Sequence, residues 1–293
     1  MIERPVGIVV SAGRTGTAFC GEHLGQVFPG AVSFHMPETL HQQSPLSAHI
    51  RVLRRFGLYQ PYLGKLMGRT GLRNVSMRYL AGDLGPAEAG RELDRHRRRF
   101  YEGQSAELVI EANYNYFGLL PVLSHALERY RVAAVVRDPE SWIASYLAKG
   151  GRYGKKDWLE TLGLRENPAR LGDEEAADRW PSMGPAERLA WFWNLVYSRI
   201  CEAADADPHI AIFRFEDLFQ APDRRAHFQA MADFLGRFPD QTFQPHLPPD
   251  FLEQTRNAAP SGAATPPGDC SPAEAAARWC DPLRRRWGYP LRG

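Results

Sequence analysis

Five short apolar runs, set apart by long stretches of helical pattern, constrain this chain more than any other feature of its sequence. They are Val6 to Val10, Ala31 to Phe34, Leu108 to Ala112, Val132 to Val136 and Ile210 to Phe215. Strand-length runs alternating with helix-length segments argue for parallel strands joined by crossover helices. After the first run, Cys20, Leu24 and Val27 recur at helical spacing and would lay one helix face on the sheet. Leu119 to Tyr130 and Ala186 to Ala204 are read as helices in the same way. The expected fold is α/β, three-layered, with a central parallel β-sheet flanked by helices. With 293 residues, 44% of them apolar, the chain can bury a core of that size as one domain spanning 1–293.

Two insertions interrupt the alternation. The first, about 39–107, is mostly helical in pattern and rich in arginine: Arg51, Arg54, Arg55, Lys65, Arg69 and Arg73, then Arg95, Arg97, Arg98 and Arg99. Its Arg91 to Arg99 stretch reads first as a solvated helix face and second as an attractor for an anionic acceptor. The second insertion, about 150–185, mixes Gly, Pro and charge without periodicity and reads as a loop or lid. Ala258 to Pro272 reads as an irregular loop before a final helix over Ala273 to Trp287.

Charge excludes one class of partner. The 36 Lys plus Arg stand against 34 Asp plus Glu, a net charge of +2, so the basic surface of a nucleic-acid binder is missing and any anion site must be local. Cys20, Cys201, Cys270 and Cys280 form no CxxC pair, which reads as reduced thiols. No signal-peptide pattern and no bilayer-length apolar run occurs, so the expected location is cytoplasmic with no membrane span.

The chemistry concentrates after the first run. Ser11-Ala12-Gly13-Arg14-Thr15-Gly16-Thr17 is small and hydroxylated, holds one cation and leads into a helix. Such a loop suits an anion: glycines admit phosphate oxygens close to the backbone, N–H groups converge, hydroxyls donate, and Arg14 adds charge where negative charge collects. It departs from GxxxxGK[ST], because Gly16 is followed by Thr17-Ala18, which disfavours a standard ATPase or GTPase. The competing reading is a plain turn and helix cap. A second anchor follows the fourth run, where Arg137-Asp138-Pro139 is followed after five residues by Ser145. The end of a strand is where open α/β sheets hold ligands, so Arg137 is placed for a second phosphate and Ser145 for the same group. Pro139 should open the next helix.

Together the loop and the Arg-Asp-Pro-x5-Ser segment resemble the sulfotransferases that use 3′-phosphoadenylyl sulfate (PAPS). Phe215-Glu216-Asp217-Leu218 and Trp287-Gly288-Tyr289-Pro290 extend the likeness. The resemblance implies a P-loop NTPase-like sulfotransferase fold with PAPS as co-substrate, PAP (3′-phosphoadenosine 5′-phosphate) as product and no required metal. By it, Ser11, Gly13, Arg14, Thr15, Gly16 and Thr17 cradle the 5′-phosphosulfate, while Arg137 and Ser145 hold the 3′-phosphate.

Transfer also needs a base for the acceptor proton. Ser33-Phe34-His35-Met36-Pro37-Glu38 resembles the His-Glu-Pro segment of bacterial relatives, with Met36 in the usual Glu place. His35 is the first choice, Glu111 the second, and Glu38 is shifted by two residues. Asn257 is a further candidate near the nucleotide. Tyr59, Tyr62, Tyr114, Tyr116, Trp191 and Trp193 would either line an acceptor pocket or fill the core. The acceptor is a small molecule or a saccharide, and oligomeric state stays open. The rival readings are a P-loop kinase-like phosphotransferase and a noncatalytic nucleotide-binding protein.

Overall fold

The computed structural model describes residues 1–39, 46–64, 70–149, 152–153, 157, 165–254 and 270–291. Five strands, β1 (Val6–Val10), β2 (Ala31–His35), β3 (Leu108–Ala112), β4 (Tyr130–Val136) and β5 (Ile210–Arg214), form one sheet in the order β2-β3-β1-β4-β5. Every pairing is parallel. All five apolar runs are therefore strands, and Phe215 alone falls outside, at the start of the next helix.

Alternation within the strands assigns the two outer layers. Val6, Ile8 and Val10 of β1, with Val132, Ala134 and Val136 of β4, face one cluster. Val9, Ala133 and Val135 face the other. The first cluster is closed by helices that include α2 (Leu46–Phe56), α3 (Leu72–Leu80), α4 (Pro86–Glu102), α5 (Pro139–Lys149), α6 (Glu174–Arg179) and α7 (Pro185–Ala206). The second is closed by α1 (Thr17–His23), α8 (Phe215–Phe219) and α9 (Arg224–Gly236). Cys20, Leu24 and Val27 are fully buried in that second layer, as their spacing predicts. Burial pushes the Cys20 thiol up to about 12, so it packs as an apolar group.

Two helix expectations are corrected. Residues 119–130 form no α-helix: 3₁₀ turns cover Tyr114–Gly118 and Leu120–His125. Pro121 removes a backbone donor, and the chain must reach β4 within a few residues, so the tighter turn wins. The final helix is two, α10 (Pro272–Trp279) and α11 (Asp281–Arg286). Pro282 cannot donate back toward Arg278 and begins a new helix instead. Lys65, Arg69, Asn257, residues 258–269 and most of 150–164 lie outside the described residues. Among the described residues no helix is long and apolar enough to cross a membrane.

The topology fixes where a ligand can sit. From β1 the chain crosses toward β2 on one side, and from β4 it continues to β5 on the other. The crevice between the carboxyl ends of β1 and β4 is thus the switch point of the sheet.

Candidate active site

The loop leaving β1 has an unusual backbone. Gly13, Arg14 and Gly16 all have positive φ, at 80°, 57° and 76°. At Gly16 two constraints coincide, since a Cβ would also sit 2.3 Å from the Phe219 ring; only glycine fits there. Arg14 accepts a left-handed conformation that costs an L-residue about 1 kcal/mol or more. The other non-glycine residues with positive φ among those described are Met36 and Tyr153. All three lie in loops or loop-like segments beyond the helices and strands, two of them directly after β1 and β2. Strain of this kind collects where surroundings hold a functional geometry.

Neighbouring helices hold the loop in place. Trp142 Nε1 of α5 donates to the Gly13 carbonyl at 2.7 Å, and the Tyr146 hydroxyl donates to the Ala12 carbonyl at 3.2 Å. Ser11 turns inward, where its Oγ accepts from Gly13 N at 2.9 Å, so it shapes the loop rather than facing a ligand. Thr15 Oγ1 is buried with no hydrogen-bond partner. A buried hydroxyl without a partner costs about 1–3 kcal/mol, and an anion's oxygen would remove that cost.

The second anchor meets the first. Pro139 opens α5 as the sequence predicts, and Arg137, Ser141 and Ser145 follow at intervals of four along its start. Arg137 Nε donates to Ser141 Oγ at 3.1 Å, and Nη1 donates to the Arg14 carbonyl at 3.0 Å. Arg14 Nε and Nη2 both donate to Ser145 Oγ at 3.3 Å. The Arg137 guanidinium lies 4.6 Å over the Phe215 ring. Burial, with help from the Arg14 charge, pulls the Arg137 pKa down despite Glu216. Among the described residues neither guanidinium has a carboxylate within ion-pair distance. These two cations share one crevice and are supported, among the described residues, by hydroxyls, a carbonyl and an aromatic face.

Sequence reading missed Ser141, although its i, i+4 spacing to Ser145 could have signalled it. It also treated Glu216 and Tyr289 as separate motifs. In the fold Glu216 accepts from Asp138 N at 3.0 Å and from the Tyr289 hydroxyl at 2.8 Å, tying the Arg137 turn to the end of the chain.

The β2 and β3 ends are built differently. His35 closes β2 in register with Ala112. Gly21 of α1 packs against it so closely that a Cβ would lie 2.6 Å from the His35 Cα. The helix that starts at the phosphate-type loop therefore fixes the backbone of His35. Glu111 is fully buried. Its oxygens accept from Arg97 Nε and Nη2 at 2.9 Å each, from Tyr101 at 2.7 Å, from Tyr116 at 3.2 Å and from Asn113 at 2.9 Å. Glu38 takes a further 2.7 Å bond from Arg97 Nη2. Both acids thus point into one cluster around Arg97, which is itself buried.

That cluster corrects the solvated-face reading of the arginine-rich helix in part. Arg95 and Arg98 are exposed and pair with Glu92 and Asp94. Arg97 lies on the inner stripe with Leu93, Phe100 and Tyr101, a placement its i, i+3 and i, i+4 spacing could have signalled. Of the aromatic candidates, Tyr116, Trp191 and Trp193 are core residues, whereas Tyr59 is exposed and Tyr114 is half-buried at the strand edge.

No protein-family model matches this chain and no curated protein matches it. It is similar to sulfotransferases of known structure. One is the sulfotransferase domain of the Synechococcus PCC 7002 olefin synthase, at 15% identity over 99% of this chain and 97% of that one, with a TM-score of 0.49. Another is a sulfotransferase from Alicyclobacillus acidocaldarius, at 15% identity over 99% and 98%, TM-score 0.47. A third is STF9 from Mycobacterium avium, at 14% identity over 86% and 67%, TM-score 0.46.

Proposed function

We propose that this chain is a sulfotransferase that moves a sulfuryl group from PAPS to a hydroxyl or amine of a small-molecule or saccharide acceptor. One observation carries the reading: Arg14 and Arg137 converge at the switch point with no carboxylate partner among the described residues, beside the unpartnered Thr15 hydroxyl. Three anion-seeking groups on two successive anchors call for a ligand with two separated anionic groups, as a 3′-phosphorylated nucleotide has.

The donor supplies an activated sulfuryl group whose bridging S–O bond breaks as the acceptor attacks. Gly13, Arg14, Thr15, Gly16 and Thr17 would hold its 5′ end, with Ser11 keeping the loop in shape. Arg137 and Ser145 would hold the 3′-phosphate, with Ser141 orienting Arg137. As the acceptor oxygen or nitrogen bonds to sulfur, His35 takes its proton and Arg14 stabilises the electron pair left on the departing phosphate oxygen. His35 stands two strands from β1, roughly 10 Å along the sheet edge at about 4.8 Å per strand, which leaves room for an acceptor between. Glu111 is the weaker base because five hydrogen bonds already engage its two oxygens. Glu38, bound to Arg97, would anchor the His35 loop.

Calorimetric binding of PAP, adenosine 5′-phosphate and ATP tests the reading on wild type, Arg14→Ala and Arg137→Ala. PAP should bind about 10- to 100-fold tighter than adenosine 5′-phosphate, the value of one charged hydrogen-bonding group, and Arg137→Ala should erase that margin. Preference for ATP would favour a kinase-like phosphotransferase. Tight PAP binding with no transfer to any acceptor would favour a noncatalytic nucleotide-binding protein.

A further inference from the structure

A third group of arginines lies beside the donor crevice. Among the described residues, Arg152, Arg165 and Arg73 face Glu166 and Asp157, three guanidiniums against two carboxylates. Arg152 Nη1 donates to Glu166 Oε2 at 2.7 Å, and Arg165 Nε donates to Asp157 Oδ2 at 2.7 Å. Arg152 is further enclosed by the Phe192 ring at 3.9 Å. Burial works against the Glu166 charge, but Arg152 and then Arg73 hold its carboxyl below the ordinary range. The two close pairs take the hydrogen bonds of both carboxylates, and Arg73 keeps only a looser ion pair with Glu166. Its Nε lies 3.7 Å from Glu166 Oε1, beyond hydrogen-bond reach, and both its Nε and Nη2 are buried with no hydrogen-bond partner.

The position of Arg73 matters. Arg73 belongs to α3, which packs on the Tyr114–Gly118 turn that leaves β3. Ser76 of α3 approaches Gly118 so closely that a Cβ there would meet its Oγ at 2.2 Å. Tyr114 lies under Arg152, 5.8 Å from ring centre to guanidinium carbon. Tyr146, whose hydroxyl holds the Ala12 carbonyl, feels the charges of Arg152, Arg14 and Arg165 and the neighbouring Tyr114. The arginine group therefore adjoins the phosphate-type loop on the β3 side, opposite Arg137 on the β4 side. A half-buried guanidinium whose buried Nε and Nη2 make no hydrogen bond presents the fork that matches a planar or tetrahedral oxyanion.

We propose that Arg73 reads an anionic group on the acceptor, so that this enzyme sulfates molecules that already carry a carboxylate, phosphate or sulfate. The assignment of that ligand as an acceptor rests on the sulfotransferase reading; the oxyanion site itself rests on Arg73. The acceptor's anion fills the Nε and Nη2 face of Arg73, and its attacking oxygen or nitrogen is directed toward the crevice beside Arg14. Arg73 acts on substrate selection, leaving bond breaking to the groups around the donor.

The test uses the whole chain saturated with PAP and four probes: 4-hydroxybenzoate against its methyl ester, and phenyl phosphate against phenol. Calorimetry on wild type should give each anionic probe at least tenfold tighter binding than its neutral partner. Arg73→Gln should bring that ratio to within about twofold, Arg73→Lys should leave it intermediate, and the distant surface variant Arg285→Gln should keep it. PAP affinity, measured on the same samples, should stay close to wild type in Arg73→Gln, while thermal stability should fall modestly, because Arg152 alone then faces the buried Glu166. The ratio between the phosphate and carboxylate pairs tells which oxyanion the site prefers. No preference for anions in wild type, or a preference that survives Arg73→Gln, overturns the proposal. If wild type does not bind PAP, the donor reading falls, and anion binding lost in Arg73→Gln without PAP still supports the site.

Discussion

The two halves of the sheet's carboxyl edge use arginine in opposite ways. Beyond β3, Arg97 is filled by Glu111 and Glu38 and ringed by Tyr101 and Tyr116. Beyond β1 and β4, Arg14 and Arg137 rest on Ser145, Ser141 and a backbone carbonyl, with no carboxylate among their described partners. A buried charge has to be compensated, and the protein does so internally at Arg97. At Arg14 and Arg137 it supplies neutral oxygens that orient each guanidinium without cancelling its charge. Partner chemistry, more than exposure, separates the arginine that braces the fold from the two that we propose bind an anion.

The largest effect expected from this contrast is structural. Arg97→Met leaves two buried carboxylates without a counter-ion and should lower stability by about 3–5 kcal/mol, read from urea unfolding. Arg137→Ala, measured beside it, should change stability by no more than about 1 kcal/mol. Equal losses in both variants would erase the distinction.

Arg14→Ala should show the reverse pattern. Turnover should fall by about 10²–10³-fold, the typical cost of one group stabilising transition-state charge, while the unfolding midpoint stays near wild type. Single-turnover transfer measures it, and undiminished turnover would remove Arg14 from the chemistry.

The brace should also carry a pH signature. Burial, then the Arg97 charge, pushes His96 from 6.5 down to about 4, and Gly71 N donates to its Nε2, so the ring is neutral in the fold. The unfolded chain binds the proton first as pH falls. Stability from this group is therefore full above about 6.5 and is lost as pH drops toward about 4, by roughly 3 kcal/mol at 1.36 kcal/mol per unit. His96→Gln should flatten that part of the stability profile; an unchanged slope would place the titration elsewhere.

The smallest effect tests the support of the donor side. Glu216→Gln keeps the size but weakens the acceptor for Asp138 N and Tyr289. PAP affinity should drop about threefold to fivefold, near 1 kcal/mol for a weakened hydrogen bond. Unaltered affinity would detach the chain's end from the Arg137 turn.

Much of this was legible in the residues. Strand positions were readable because a parallel strand covered on both faces must be apolar throughout, as Val6–Val10 is. The two candidate segments stood out because a glycine-rich turn after a strand, and an arginine at a strand end before a proline, each have few structural uses, and the fold brings them together. Helix limits near Pro121 and Pro282 were misread where a periodic pattern outweighed a missing backbone donor.

Partnership was decided only by tertiary structure. Nothing local tells Arg97 from Arg95 or Arg98 in its charge; that Glu38 and Glu111 meet it follows from β2 and β3 lying side by side and α4 crossing them. Likewise, Glu216 and Tyr289 are far apart in sequence and become one hydrogen-bonded unit because β4 and β5 are neighbours. Sequence set which residues could bear charge and where strands end, since those depend on short-range pattern. Which charges are neutralised within the fold depends on distances between segments remote in sequence, and only the packed sheet sets those.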